Sequence, residues 1–172
     1  QAAPEYNAPA LDHSEVYAAA GVSDSRVLCA PAIVNTGNSF LIIGVKTISD
    51  LASLSPDYQK IEAISEEYDL IGFYVFTPET NKSGRDASTR MFAPRYGIQE
   101  ESATGMAAGP LACYLYQFMG MHQQTFLIEQ GYSMQPPSPS CIEVVLEREG
   151  EKITGLKAGG TGKPSRYEEI EI

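Results

Sequence analysis

The residues best suited to chemistry lie in one stretch, residues 90–115, which reads RMFAPRYGIQEESATGMAAGPLACYL. Two adjacent carboxylates, Glu100 and Glu101, are followed closely by Gly105. A carboxylate beside a bound ligand can accept or donate a proton during a reaction. The stretch therefore predicts a site of proton transfer, provided that a ligand can bind near the glycine.

A helix that begins near this glycine would supply the binding half of such a site. Ser102 or Thr104 can cap the helix with a side-chain oxygen. The first N–H groups of the helix, on Gly105, Met106 and Ala107, then have no intrahelical partners. These groups and the partial positive charge of the helix end favour an anion. We expect a small carboxylate to bind there, with a glutamate beside it.

The same residues also have a purely structural interpretation. Every helix start needs a cap, and acidic residues before a helix N-terminus are common because they interact favourably with the helix dipole. The residue types alone leave both interpretations open.

The element that would position these groups is a helix over residues 103–119. Its residues are small or apolar on nearly every face, which is typical of a helix buried on all sides. Pro110 lies inside the segment and removes one backbone donor, so we expect a kink near Met106 or a later start of the regular helix. This helix is predicted to pass through the centre of the domain.

Apolar and β-branched segments separated by turn signals predict a sheet around this helix. Two further helices are predicted, one from Asp12 or Ser14 to Ala20 and one that starts at Ser55. The fold class is therefore α+β, a curved mixed or antiparallel sheet rolled around one buried helix, with residues 1–12 as a connector. Residues 1–11 of this segment are predicted to be extended, as a connector or an edge strand. The predicted strands are 27–34, 39–45, 70–77, 86–92, 124–130, 141–148, 152–158 and a closing strand 167–172.

Composition excludes several classes of protein. The 172 residues include 12 basic and 22 acidic side chains, and the resulting net charge of −10 disfavours nucleic acid as a partner. No apolar run approaches the roughly 18 residues that a membrane-spanning helix needs. The 3 cysteines fit neither a disulfide framework nor a zinc site. We expect a soluble, cytoplasmic, single-domain protein without a metal.

Three motifs in this sequence resemble the second half of the phenazine-biosynthesis F-type (PhzF-like) family. They are FAPRYGIQEESATGMAA at 92–108, EQGYSM at 129–134 and KAGGT at 157–161. The family pattern is close to R-x-F-A-P-x-x-G-I-x-E-D-P-A-T-G-S-A, then Q-G-x-x-M-x-R-P-S, then a strand that ends in G-G. The order and spacing agree, and the resemblance covers nearly the whole chain.

The resemblance implies the diaminopimelate-epimerase-like fold, in which two similar lobes each roll a sheet around a central helix and enclose the active site between them. It also implies an isomerase or epimerase that moves a proton on a small carboxylate-bearing metabolite without a cofactor. The catalytic glutamate and glycine-histidine motif of the family belong to the first lobe. We therefore expect an N-terminal lobe of the same protein or, less favourably, a homo-oligomer to complete the site.

Carried over residue by residue, the resemblance assigns a catalytic role to Glu101, which occupies the aspartate position of the family. It assigns substrate binding to Thr104, Gly105 and Met106. Met106 replaces the usual serine, so a hydroxyl contact is lost while the backbone N–H remains. Pro136 stands where the family usually has arginine, which removes a cation.

These two replacements keep a second function open. The chain would then be a non-catalytic member of the fold that retains the cleft as a small-acid-binding site or as an assembly surface. An isomerase should lose turnover in a Glu101→Gln variant, whereas a binding protein has no turnover to lose.

Overall fold

The computed structural model describes residues 1–7 and 11–162 and shows a mixed α+β fold. Within these residues, nine strands form one sheet and four α-helices pack on it. The helices are α1 (His13–Ala20), α2 (Ile48–Ala52), α3 (Tyr58–Glu67) and α4 (Gly105–Met119). The strands are β1 (Glu5–Asn7), β2 (Val27–Asn35), β3 (Ser39–Val45), β4 (Gly72–Thr77), β5 (Ala87–Ala93), β6 (Ile98–Glu101), β7 (Thr125–Gln130), β8 (Ser140–Glu149) and β9 (Lys152–Gly159).

The sheet is mixed, with the strand order β1-β2-β3-β4-β5-β7-β8-β9, and β6 pairs with β5. The pairs β3–β4 and β5–β7 are parallel, and the other pairs are antiparallel. The residues before β1 also contact β9, which lies at the other end of the sheet. Gln1 N donates to Leu156 O on β9 at 2.9 Å, and Leu156 N donates to Gln1 O at 3.4 Å. The first residues of the chain therefore contact both β2 and β9.

Helices cover both faces of the sheet, and this explains why the sequence of β3 is almost continuously apolar. Phe40 and Ile42 belong to the core that contains the α4 side chains, whereas Leu41 and Ile43 belong to the core formed with α1, α2 and α3. Successive side chains of a strand point to opposite faces. A strand between two helical layers therefore needs apolar residues at every position.

Helix α4 is the most apolar helix of the fold, and its residues 107–116 are all buried. It packs against β2, β3, β8 and β9. Gly109 permits a close approach to β9, because a Cβ atom there would lie 2.6 Å from Leu156 Cδ1. Pro110 lies inside the helix, which runs as one α-helix from Gly105 to Met119.

The bounds of several elements agree with the sequence-based predictions because local signals define them. The Asp12 side chain accepts the N–H groups of Ser14 and Glu15 at the start of α1, and Gly21 ends this helix with a φ of +71°. The predicted strand pair 27–34 and 39–45 is confirmed as the antiparallel pair β2–β3.

Helix α2 and strand β6 were missed by the sequence-based prediction, whereas β1 lies within the opening segment that was predicted to be a connector or an edge strand. Helix α2 has five residues and starts at a capping box between Thr47 and Asp50. Strand β6 has four residues and pairs with β5 through Met91 and Ala93. The predicted strand 167–172 and residues 8–10 of the predicted connector lie outside the described residues. No helix within 1–7 and 11–162 has the length and hydropathy to span a bilayer.

The packing of α4 makes a testable prediction about its cysteine. Cys113 is fully buried, and burial raises the pKa of its thiol to about 12. Because the thiolate is the reactive form, iodoacetamide at mildly alkaline pH should alkylate Cys113 at least about ten-fold more slowly than the half-buried Cys141. Peptide mass spectrometry over time measures both rates, and the two thiols should react alike in urea. Equal rates in the folded protein would contradict this packing.

Candidate functional site

Helix α4 begins at Gly105, with Thr104 in the N-cap position, but the Thr104 side chain makes no capping hydrogen bond. The N–H groups of Ala107 and Ala108 both donate to Thr104 O, at 3.1 and 3.0 Å. The expectation that the Ala107 N–H is free is therefore wrong. Among the described residues, the N–H groups of Gly105 and Met106 have no hydrogen-bond partner, and both lie at the mouth of the helix.

Gln130, the last residue of β7, fixes the turn that leads into α4. Its Nε2 donates to Glu101 O at 2.6 Å and to Thr104 Oγ1 at 3.0 Å. Its Oε1 accepts from Thr104 N at 3.1 Å and from the Tyr74 hydroxyl at 2.9 Å. The side chain is buried, and all four hydrogen-bonding positions of the amide are occupied. One side chain of the sheet therefore sets the orientation of the helix start.

The carboxylate of Glu101 is held on one side only. The Thr104 hydroxyl donates to Glu101 Oε2, and Thr104 is itself buried. Glu101 Oε1 accepts no hydrogen bond from the residues that the structure describes, and the side chain is half-buried. Glu101 thus has one fixed oxygen and one available oxygen, which is an arrangement suited to exchanging a proton with a ligand.

The neighbouring Glu100 has a different environment, although the sequence did not distinguish the two carboxylates. Its two oxygens accept from Nε and Nη2 of Arg90, each at 2.8 Å. Arg90 Nη1 also donates to the carbonyl oxygens of Leu51 and Leu54. Because adjacent residues of a strand point to opposite faces, β6 directs Glu100 to this ion pair and Glu101 to the start of α4.

A cavity of about 830 Å³ opens at the mouth of α4. Of the four site residues that the resemblance assigns, Gly105 lines this cavity, whereas Glu101, Thr104 and Met106 are not part of its lining. Met106 is 51% exposed, and its sulfur lies 3.6 Å from Asn38 Nδ2. The lining comprises Lys82, Arg85, Ala103, Gly105, Tyr132, Pro139, Ser140, Cys141, Ile142, Gly159, Gly160 and Thr161.

The sequence-based interpretation assigned no role to three residues of this region. Lys82 lies in the segment 78–84, whose composition is typical of a solvated loop, Arg85 follows this segment, and Gln130 was only part of a motif. Each of these residues is a polar residue in or beside a predicted strand. Many residues of the chain fit that description, so it could not have singled out these three. In the described part of the chain, no group of three or more His, Cys, Asp and Glu side chains could hold a metal ion.

Comparisons with known proteins agree with the motifs. A family model described as phenazine biosynthesis-like protein matches residues 1–165. The trans-2,3-dihydro-3-hydroxyanthranilate isomerase of Pseudomonas fluorescens is 31% identical over 162 residues, which cover 94% of this chain and 54% of that protein. An uncharacterised isomerase of Clostridium acetobutylicum is 41% identical over 83 residues, which cover 48% of this chain and 28% of that protein.

A solved structure shares the fold. The crystal structure of a phenazine biosynthesis protein of the PhzF family from Bacillus anthracis matches with a TM-score of 0.79 at 21% identity, covering 94% of this chain and 56% of that one. The chain thus spans about half the length of this protein and of the Pseudomonas fluorescens isomerase. The resemblance inferred from the three motifs is confirmed.

The unequal environments of the two glutamates predict unequal effects on stability. Glu100→Gln should lower the free energy of unfolding by about 3 kcal/mol, because it leaves the nearly buried guanidinium of Arg90 without its carboxylate. Glu101→Gln should cost about 1 kcal/mol or less, because an amide oxygen can still accept from Thr104. Urea unfolding followed by circular dichroism measures both values. Equal losses would contradict the assignment of Glu100 to structure.

Proposed function

The chain belongs to the phenazine biosynthesis-like protein family, and we propose that it forms one lobe of an isomerase that moves a proton on a small carboxylate-bearing metabolite. The main support is the mouth of α4, where the N–H groups of Gly105 and Met106 have no partner among the described residues and lie close in sequence to a carboxylate with one available oxygen. The isomerase name of the Pseudomonas fluorescens relative supports the class of reaction.

In this proposal the N–H groups of Gly105 and Met106 bind the carboxylate of the substrate. The helix end contributes a partial positive charge, and hydrogen bonds to a charged acceptor are stronger than neutral ones. Packing does not require glycine at position 105, because the nearest atom to an added Cβ would be Ala158 Cβ at 3.8 Å. The missing side chain instead leaves the backbone accessible from the cavity.

Glu101 is the proposed proton-transferring group. A proton leaves a carbon of the substrate for Glu101 Oε1, and a proton is then returned at another carbon, so no net charge or atom is gained. Thr104 acts as a positioning residue, because its hydroxyl holds the second oxygen of the carboxylate. Gln130 in turn positions Thr104 through two hydrogen bonds.

A second lobe is proposed to complete the site, either the N-terminal lobe of the same protein or, less favourably, a second copy. The support is that the chain spans about half of its relatives and that the cavity at α4 is open. We also propose that the sheet is rolled around α4 as in the diaminopimelate-epimerase-like fold. Burial of residues 107–116 and the bonds of Gln1 to β9 support this arrangement.

A non-catalytic small-acid-binding protein is the second candidate. Two differences from the family pattern support it, namely Met106 in place of serine and Pro136 in place of arginine. This candidate shares the carboxylate site and differs only in having no proton transfer.

The first test follows the proton. In deuterated water, the full-length protein should introduce deuterium into trans-2,3-dihydro-3-hydroxyanthranilate or another small carboxylic acid of a test panel. Glu101→Gln should lower kcat by about 10²- to 10⁴-fold while the Kd changes less than about ten-fold. Glu149→Gln, which alters an exposed residue of β8, is the matched control and should retain full turnover. Binding of the acids without any exchange in the unmodified protein would favour the second candidate.

The second test concerns the completing lobe. The active preparation should have a native mass well above the 18.6 kDa of this chain, and intact-mass spectrometry should show whether one longer chain or several chains account for it. A species of 18.6 kDa that catalyses the exchange alone would contradict the need for a second lobe.

A further inference from the structure

The loop between β4 and β5 brings two cations to the cavity at the mouth of α4. Lys82 and Arg85 both line the cavity that Gly105 lines. Arg85 also lines an adjoining recess of about 350 Å³, where Glu143 is the acidic residue of the lining. The chain has a net charge of −10, whereas two of the described residues that line the main cavity are basic and none of them is acidic. The sign of the charge at the cavity is therefore opposite to that of the chain.

A buried carboxylate holds the Lys82 end of this loop. Glu129 is 1% exposed, and it accepts from the backbone N–H groups of Asn81 at 2.8 Å and of Lys82 at 3.0 Å. The Ser88 hydroxyl donates to the same carboxylate at 2.8 Å. A buried charge is stable only when it is hydrogen-bonded, so the loop backbone and Glu129 fix each other.

The Arg85 end is held by the residue that follows it. The Asp86 carboxylate accepts from Leu127 N at 2.7 Å and from Gln123 Nε2 at 2.7 Å. Asp86 N donates to Leu127 O at 2.8 Å. The backbone on both sides of the loop is therefore attached to β7, and the two cations project from a preorganised segment.

These cations differ from most others in the described part of the chain. Ion pairs of 4.0 Å or less engage Arg26, Lys60, Arg90, Arg95 and Lys157. Within residues 1–7 and 11–162, no such pair involves Lys82 or Arg85. A half-buried guanidinium beside a cavity is well suited to bind a carboxylate, because its planar donors match the two oxygens.

We propose that Lys82 and Arg85 bind a second carboxylate of the ligand, so that the site selects a small dianionic acid. One carboxylate binds at the N–H groups of Gly105 and Met106, and the other binds at the two side chains of the loop. This inference rests on the proposed function, because the first carboxylate is the one that the proposed function binds at the start of α4. It adds a prediction of the ligand's charge, because the class of reaction does not determine whether the ligand carries one carboxylate or two.

The test compares acids of equal chain length in the full-length protein at constant ionic strength. Calorimetric titration with glutarate and adipate, and with valerate and hexanoate, gives the preference for two carboxylates over one. The unmodified protein should prefer the dicarboxylates by at least about ten-fold, which corresponds to about 1.4 kcal/mol. Raising the salt concentration should reduce this preference.

Substitutions identify the side chains that produce the preference for dicarboxylates. Arg85→Gln and Lys82→Met should each reduce it to less than about three-fold, while the Kd for the monocarboxylates changes less than about two-fold. Arg85→Lys should keep most of the preference because it keeps the charge. Lys152→Met, which removes a cation from an exposed position of β9, changes the net charge equally and should leave the preference intact. Thermal unfolding checks each variant, and the exposed Lys82 provides the result if Arg85→Gln fails to fold.

Each contrary outcome has a distinct meaning. A dicarboxylate preference that survives in both Arg85→Gln and Lys82→Met overturns the assignment of these residues. Binding of monocarboxylates without a preference overturns this inference alone and leaves the proposed function standing. If neither class of acid binds, the carboxylate site at α4 fails, and the inference fails with it.

Discussion

The side-chain amide of Gln130 connects the sheet to the start of helix α4, and the geometry of the site depends on it. It contacts Tyr74 on the sheet side and Glu101 and Thr104 on the helix side. A buried amide that loses one partner costs about 1–3 kcal/mol, more than a satisfied hydrogen bond contributes. Since all its partners are present only in one arrangement of the turn, the amide selects that arrangement.

Several acidic side chains lie around the start of α4 and the loop between β4 and β5, and their different environments give them different roles. Both oxygens of Glu100 are engaged in the ion pair with Arg90, whereas one oxygen of Glu101 is available. Glu129 and Asp86 hold the backbone of the loop that bears Lys82 and Arg85. The negative net charge of the chain therefore does not describe the cavity itself, because carboxylates behind its surface hold the backbone of the loop whose two cations line it.

The sequence predicted those parts of the fold that local signals determine. Asp12 and Gly21 mark the two ends of α1, and an apolar run that begins near Gly105 marks α4. Strand β6 escaped prediction because four polar or mixed residues become a strand only by pairing with β5. The roles of Glu100 and Gln130 escaped for the same reason, since their partners are distant in the chain and are brought near by the sheet. The motifs identified the family without revealing these contacts.

The central claim is that the N–H groups at the mouth of α4 bind a small carboxylate. A titration of the ¹⁵N-labelled full-length protein with benzoate, followed by amide resonances, tests it most directly. The account predicts that the Gly105 and Met106 resonances shift most and saturate together. The Ala107 resonance should shift less, because its N–H already donates to Thr104 O. Saturable shifts located elsewhere, with Gly105 and Met106 unchanged, would contradict the claim.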